Sequence, residues 1–205
     1  MIYEFCAENV TLLEKAMQAG ARRIELCDNL AVGGTTPSYG VTKAAVELAA
    51  DYDTTIMTMI RPRGGDFVYN DLEVAIMLED IALTAQAGSQ GVVFGALTAD
   101  KKLDKANLEK LIAASKGMEI VFHMAFDELS DQDQLEAIDW LSQAGVARIL
   151  TRAGVSGDSL EERFANYHRI LEHAAGKIEI LPGGGIDTDN RQIFIDQLGV
   201  TQLHG

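Results

Sequence analysis

Gln18-Ala19-Gly20 is the first of four similar triplets in this chain; the others are Gln86-Ala87-Gly88, Gln143-Ala144-Gly145 and Gln197-Leu198-Gly199. Each triplet closes an amphipathic run and is followed within a few residues by a short apolar segment. A glycine that ends a helix in the left-handed conformation just before a strand explains all four copies. The glycines are 68, 57 and 54 residues apart, and each interval has room for two strand-plus-helix units. The sequence therefore predicts about eight units, which is the pattern of a (β/α)8 TIM barrel with parallel strands.

The composition is that of a globular protein with an excess of acidic residues. The hydrophobic fraction is 47%, and 31 acidic against 17 basic residues give a net charge of −14. This negative field repels nucleic acids and anionic membrane surfaces, so we expect neither as a partner. No apolar run approaches the length of about 18 residues that a membrane-spanning helix needs. The first residues lead directly into a strand rather than a signal peptide, and the two cysteines indicate a reducing cytoplasm.

The units can be assigned in order along one domain that covers residues 1–205. The expected strands are 2–6, 23–27, 55–60, 91–94, 119–123, 148–151, 178–181 and 202–204. The expected helices are about 9–19, 41–50, 71–87, 105–115, 132–143, 160–174 and 188–198. The sequence ends at Gly205, soon after the eighth strand, so we expect the eighth helix to be missing or truncated. One face of the first and last strands is then uncovered, and we expect a second subunit to cover it in a homodimer or higher oligomer.

Alternation of side chains along each strand indicates which residues face the barrel interior. In each strand the bulky apolar positions are expected to face the helices, which leaves the other positions inside. The set expected at the mouth, the C-terminal end of the barrel, is Glu4, Cys6, Glu25, Cys27, Met59, Arg61, His123 and His204. Barrels of this kind place their chemistry at that end, and the set is too polar for a purely structural core.

Glu25 and Arg61 have opposite charges on adjacent strands. An ion pair between them is one interpretation, because a buried charge without a partner costs about 3–5 kcal/mol. The other interpretation is that both face a ligand, as polar groups at strand ends in this fold usually do.

Cys6 and Cys27 are expected at equivalent heights on neighbouring strands, with backbones roughly 5 Å apart. Two thiolates at that separation can bind a soft Cu(I) ion, and Met57 or Met59 can add a thioether. The alternative is that both cysteines are small buried hydrophobic residues.

His123 and His204 are the two histidines expected at the mouth. His123 ends a strand, with Asp127 four residues further on. It can act as a general acid or base, bind a metal, or make a hydrogen bond at the rim. His204 lies at the chain end, where fraying is common.

Two loops suit an anion. Gly183, Gly184 and Gly185 follow the seventh strand, where such barrels often bind phosphate through backbone N–H groups, although a tight turn also needs these glycines. Arg61 and Arg63 belong to a second loop, in which arginine can bind a carboxylate or phosphate through two hydrogen bonds.

Four stretches together resemble the CutC family, whose members are described as copper homeostasis proteins. They are Arg61-Pro62-Arg63-Gly64-Gly65-Asp66-Phe67, Gly33-Gly34 with Thr36-Pro37-Ser38, Ile24-Glu25-Leu26-Cys27, and His123 with Ala125-Phe126-Asp127. The resemblance covers about residues 2–204. It departs from the family pattern at Met124, where arginine is expected, at Arg152, where serine is expected, and at the short C-terminus.

The resemblance implies a cytosolic TIM barrel that binds Cu(I) through Cys6 and Cys27. It also implies a pocket formed by Glu25, Arg61, His123 and His204. No organic cofactor is indicated.

Two functions therefore remain open from the sequence. The first is copper handling through the cysteines. The second is an isomerase, epimerase or lyase that acts on a small anionic metabolite, with phosphorylated metabolites included. In the second, Arg61 and the glycine loop hold the anion while Glu25 and His123 exchange protons. A Schiff-base aldolase is disfavoured because no lysine ends a strand.

Overall fold

Eight parallel strands with helices between them form a nearly closed barrel. The structure is a computed structural model that describes all 205 residues. The strands are β1 (Ile2–Glu8), β2 (Arg23–Cys27), β3 (Thr55–Met59), β4 (Gly91–Phe94), β5 (Glu119–Phe122), β6 (Arg148–Thr151), β7 (Glu179–Pro182) and β8 (Gln202–His204). Their hydrogen-bonded order is β7-β6-β5-β4-β3-β2-β1-β8, so the ladder is continuous except at the β7/β8 seam. The predicted (β/α)8 TIM barrel is confirmed.

Seven helices lie between the strands. They are α1 (Leu13–Gln18), α2 (Tyr39–Ala49), α3 (Asp71–Ala87), α4 (Lys105–Ala114), α5 (Asp131–Gln143), α6 (Leu160–Ala174) and α7 (Arg191–Leu198). The glycines of the four triplets have φ angles of 97°, 88°, 85° and 62°, so each stands in the left-handed region at a helix end, as predicted. None of the helices has the length and apolar character needed to cross a lipid bilayer.

The helix boundaries differ from the predictions at α1 and α7. Before α1, both Asn9 and Leu12 have a positive φ, so the backbone cannot be helical from residue 9 and the helix begins later. Before α7, the Asp187 carboxylate accepts hydrogen bonds from the N–H groups of Asp189 and Asn190. This turn delays the start of α7 to Arg191.

The barrel interior is small and rich in sulfur. It contains Cys27, Met57, Met59, Val93, Val121, Leu150 and Leu181, with Cys6 and Met124 packed against them. Two larger apolar clusters lie outside it, between the strands and the helices. The alternation of side chains therefore correctly predicted which strand residues face the barrel interior and which face the helices.

β8 is fixed although it lies at the end of the described chain. The N–H of Gly205 donates to the Glu4 carbonyl, and the Gly205 carbonyl accepts from the N–H of Cys6, both at 3.0 Å. His204 is therefore buried rather than frayed. The outer face of β1 and β8 carries a groove of about 530 Å³ lined in part by Tyr3, Phe5 and Leu203.

Candidate functional site

The side chains expected at the mouth lie together at one end of the barrel. Glu4, Glu25, Cys27, Met59, Arg61, His123 and His204 are buried, and Cys6 is half-buried. They belong to β1, β2, β3 and β8 or lie one or two residues beyond the ends of β3 and β5. The mouth therefore combines thiols, carboxylates and cations in a site largely closed to solvent.

The two cysteines meet at the carboxylate of Glu25. The Sγ atoms of Cys6 and Cys27 lie 3.4 and 3.6 Å from Glu25 Oε2. The two sulfurs and a Glu25 oxygen all lie within 4.8 Å of one another.

The expectation that the cysteines stand at equivalent heights is wrong. Cys6 pairs with Glu25 in the β1/β2 ladder, and Cys27 pairs with Glu8. The cysteines are thus diagonal neighbours, because the register of the two strands is offset by two residues from the expected pairing. The side chains converge across this diagonal, and both cysteines are free thiols.

Glu25 also faces a chain of buried charges at the base of the mouth. His204 Nε2 lies 3.8 Å from Glu25 Oε2, and His204 Nδ1 lies 2.8 Å from Glu4 Oε1. The other oxygen of Glu4 accepts a hydrogen bond from Arg23, whose Nη2 donates to Gln202 Oε1 at 2.6 Å. Sequence reasoning missed Arg23, although its parity on β2 is the same as that of Glu25.

The pKa values of this cluster are shifted in opposite directions. Burial alone would raise the pKa of Glu4, but hydrogen bonds and charges from His204 and Arg23 lower it to about 2. Burial would lower the pKa of His204, but the charge of Glu25 and hydrogen bonds with Cys6 and Glu4 raise it well above 6.5. Glu4 is therefore an anion and His204 a cation near neutral pH.

The two thiols differ in acidity. A hydrogen bond with Cys27 lowers the pKa of Cys6 to about 5, in opposition to burial. The same hydrogen bond, together with burial, raises the pKa of Cys27 well above 9. Burial raises the pKa of Glu25 well above 4.5. The cluster thus presents a ready thiolate at Cys6 beside a thiol.

Arg61 does not pair with Glu25. Its Nη1 donates to the carbonyls of Val32 and Gly34 at 2.8 and 3.0 Å, and its Nη2 donates to the Gly65 carbonyl at 2.7 Å. Its guanidinium carbon stands 4.8 Å from the centre of the Phe67 ring. Arg61 thereby joins the loops after β2 and β3 over the mouth, and only its buried Nε lacks an acceptor.

His123 has a fixed orientation beside the same aromatic ring. Its Nδ1 accepts a hydrogen bond from the N–H of Ala125 at 3.2 Å, and its ring centre lies 4.8 Å from that of Phe67. Burial, and then the charge of Arg61, lower its pKa to about 3. The neutral ring must therefore carry its proton on Nε2, which is buried and has no partner.

Arg63 lies apart from this group. Its Nε donates to Glu73 at 2.5 Å, and its Nη atoms donate to Asp66 and to the carbonyls of Gly64, Asp66 and Val68. These hydrogen bonds brace the loop after β3. The guanidinium is turned to its own loop rather than to the mouth.

The glycine loop after β7 contributes one residue to the mouth. A Cβ on Gly183 would stand 3.2 Å from His204 and 3.1 Å from Met124, so Gly183 lies against both. Gly184 and Gly185 have φ angles of 76° and 78°. Their N–H groups make no backbone hydrogen bonds, whereas the N–H of Gly183 donates to the Thr151 carbonyl.

Asp127 faces the loop after β6 rather than His123. Its carboxylate accepts hydrogen bonds from the Thr151 hydroxyl and from the N–H of Arg152. Burial raises its pKa to about 6, although these hydrogen bonds oppose the shift. The arrangement orders the start of that loop, where Arg152 packs on Gly184.

Comparison with known proteins agrees with this architecture. A family model described as "CutC family" matches residues 1–205. A CutC family protein of Enterococcus faecalis is 51% identical over 205 residues, covering 100% of this chain and 98% of the relative. A human protein named "Copper homeostasis protein cutC homolog" is 39% identical over 203 residues, covering 99% of this chain and 72% of the relative.

Comparison with solved structures also finds a CutC protein. The crystal structure of CutC from Streptococcus agalactiae superposes with a TM-score of 0.96 at 44% identity, covering 100% of this chain and 98% of that one. Deoxyribose-phosphate aldolase from Aeropyrum pernix reaches a TM-score of 0.72 at 13% identity, covering 100% of this chain and 84% of that one, and this likeness concerns the fold alone.

Proposed function

Because the chain belongs to the CutC family, some of whose members are named copper homeostasis proteins, we propose that it binds Cu(I) through Cys6 and Cys27. One observation carries the proposal: the two sulfurs and a Glu25 oxygen lie within 4.8 Å of one another in a buried mouth. Two thiolates at that separation can hold one ion between them with bonds of about the 2.3 Å known for zinc thiolates.

The surroundings of the cysteines favour a soft ion. Thiolates and thioethers select Cu(I), and the interior cluster places Met57, Met59 and Met124 with the two cysteines. Met124 stands where the family resemblance leads us to expect arginine, so a thioether replaces a cation at this rim. Burial of Cys27 also limits the access of oxidants to the bound ion.

The protonation states support tight binding near neutral pH. Cys6, whose pKa is about 5, is already a thiolate. Binding at Cys27 then requires the release of one proton. A reducing compartment keeps both thiols available, and we therefore propose that the protein acts in the cytoplasm.

Competition with a Cu(I) chelator of known affinity tests this function. We expect the unaltered protein to take Cu(I) from the chelator and Cys6→Ser/Cys27→Ser to lose this ability. Met59→Leu, which removes a thioether from the mouth, should weaken binding. The matched control Met118→Leu, whose residue packs on the outer core, should not. Undiminished competition by the double cysteine variant would contradict the proposal.

We also propose that a second copy of the chain covers the outer face of β1 and β8. The groove there is lined by Tyr3, Phe5 and Leu203, and the exposed Ile2 and Leu12 add apolar surface nearby. Burying this apolar surface between two copies gives a favourable free energy of association. Sedimentation equilibrium should show a dimer or larger oligomer, and a monomer at micromolar concentration would contradict it.

A second candidate function is acid–base catalysis on a small anionic metabolite. The observation that favours it is that Glu25 Oε1, Arg61 Nε and His123 Nε2 are all buried without a hydrogen-bond partner. With its proton on Nε2 and a pKa of about 3, His123 suits hydrogen-bond donation rather than proton uptake. Proton transfer in this scheme is therefore assigned to Glu25. A screen of phosphorylated sugars that yields no turnover would weigh against this candidate.

A further inference from the structure

Two buried N–H donors in the mouth make no hydrogen bond of normal geometry within the protein, and the buried hydroxyl of Tyr69 near Arg61 is unpaired as well. The two donors are Arg61 Nε and His123 Nε2, and each residue is 4% exposed. An unpaired buried donor costs about 1–3 kcal/mol, so two of them in one mouth indicate a role beyond packing.

The charge of Arg61 has no counter-ion. The guanidinium makes its hydrogen bonds to three backbone carbonyls, which are neutral, and forms no ion pair with a carboxylate. Most buried arginines in proteins pair with an anion, because an uncompensated buried charge is costly. Arg61 therefore offers a positive charge that an anionic ligand can neutralise.

His123 supplies a neutral donor with a fixed direction. Its Nδ1 is occupied by the N–H of Ala125, so Nε2 carries the proton and cannot accept. An oxygen acceptor satisfies this group, whereas a metal ion at Nε2 would require the other tautomer. His123 is therefore suited to an oxygen ligand, whereas the cysteines are suited to a metal ion.

The fold brings the two donors to the same part of the mouth. Arg61 follows β3 and His123 follows β5, and β4 between them continues into Gly95, which has no side chain. A Cβ on Gly95 would stand 2.7 Å from His123 Nδ1, so the imidazole lies over this residue. Phe67 contacts both groups, with its ring centre 4.8 Å from the Arg61 guanidinium carbon and 4.8 Å from the His123 ring centre.

We propose that Arg61 and His123 form a binding site for a carboxylate or phosphate oxygen of a small organic anion beside Phe67, with donors that are distinct from the two cysteines. Arg61 provides charge and one hydrogen bond, and His123 provides a second hydrogen bond. Hydrogen bonds from a charged donor are the stronger ones, so Arg61 anchors the anion and His123 orients it. The site does not depend on copper binding, and the second candidate function requires it.

The experiment is a titration of the metal-free full-length protein with pyruvate, oxalate and inorganic phosphate in separate samples. Nitrogen NMR of the histidine side chains reports directly on His123 Nε2. We expect a saturable change in this signal with at least one probe. A response to pyruvate or oxalate indicates a site for carboxylates, and a response to inorganic phosphate indicates a site for phosphates. His123→Phe keeps an aromatic ring beside Phe67 and should weaken binding by about tenfold to a hundredfold, as expected for a lost hydrogen bond to an anion.

The matched control is His168→Phe, on the exposed face of α6, which should bind like the unaltered protein. The titration of the unaltered protein remains decisive if His123→Phe fails to fold. Failure of all three probes to change the His123 signal at millimolar concentration would overturn the proposal. So would equal binding by a folded His123→Phe. Because the titration contains no copper, its failure leaves the Cu(I) proposal unaffected.

Discussion

Glu4→Gln should reduce the free energy of unfolding by about 3–5 kcal/mol. The Glu4 side chain is 2% exposed and contacts Arg23 and His204, whose side chains are 7% and 9% exposed. A neutral amide leaves Arg23 without a compensating charge and leaves His204 only the carboxyl of Glu25, 3.8 Å away. Removal of one partner from a buried ion pair typically costs this amount. The fall of the Glu4 pKa from 4.5 to about 2 corresponds to about 3 kcal/mol at 1.36 kcal/mol per pH unit, which agrees with the lower end.

The effect should depend on pH in a defined direction. Because the pKa of Glu4 is lower in the folded protein, its stabilisation is complete above the unfolded value of 4.5 and disappears as the pH falls through about 2. The difference in stability between the unaltered protein and Glu4→Gln should therefore narrow in acid.

Urea denaturation followed by Trp140 fluorescence measures this difference. The matched control is Glu14→Gln on the surface, where the carboxylate accepts a hydrogen bond from Tyr52, and it should change stability by no more than about 0.5 kcal/mol. A fall of less than about 1 kcal/mol in the free energy of unfolding of Glu4→Gln would refute the reasoning, because removing the anion from a buried charge cluster should destabilise the protein by more than this. A difference that stays constant from neutral pH to acid would refute it as well.

Three further predictions concern single positions. The unaltered protein should lose stability as the pH falls from 6.5 to about 3, because the folded protein keeps His123 neutral while the same histidine is protonated in the unfolded chain. His123→Phe should make this loss smaller, and acid denaturation curves of the two proteins check it. Gly91→Ala should lower the free energy of unfolding, measured by thermal denaturation, by about 1–3 kcal/mol, because the added methyl group meets Met57 and stands 2.7 Å from a backbone carbonyl oxygen. Its control, Gly40→Ala in the open first turn of α2, should leave the stability unchanged or raise it. Cys6 should be alkylated by iodoacetamide well below the usual thiol pKa, with loss of reactivity as the pH falls through about 5; a rate that begins to rise only near pH 8 would contradict its low pKa.

The order of strands and helices was determined by local features of the sequence. The glycines that end four helices need a positive φ wherever they occur, so their spacing predicts the number of units without knowledge of the packing. The alternation of side chains is equally local, and it identified the interior positions, including Cys27, Arg61 and His123, correctly. The α1 and α7 boundaries were less predictable, because left-handed Leu12 and the turn at Asp187 are individual backbone conformations rather than periodic signals.

The partners of the site residues were decided only by the tertiary structure. Cys6 lies level with Glu25 rather than Cys27 because strand register is set by the tilt of the closing barrel, which no single strand specifies. Arg61 binds carbonyls instead of Glu25 because two loops fold over the mouth and present their backbone oxygens to it. His204 joins Glu4 because β8 pairs with β1, a contact between residues 200 positions apart in the chain. The sequence thus determined which side chains face inward, and the closure of the barrel determined which of them meet.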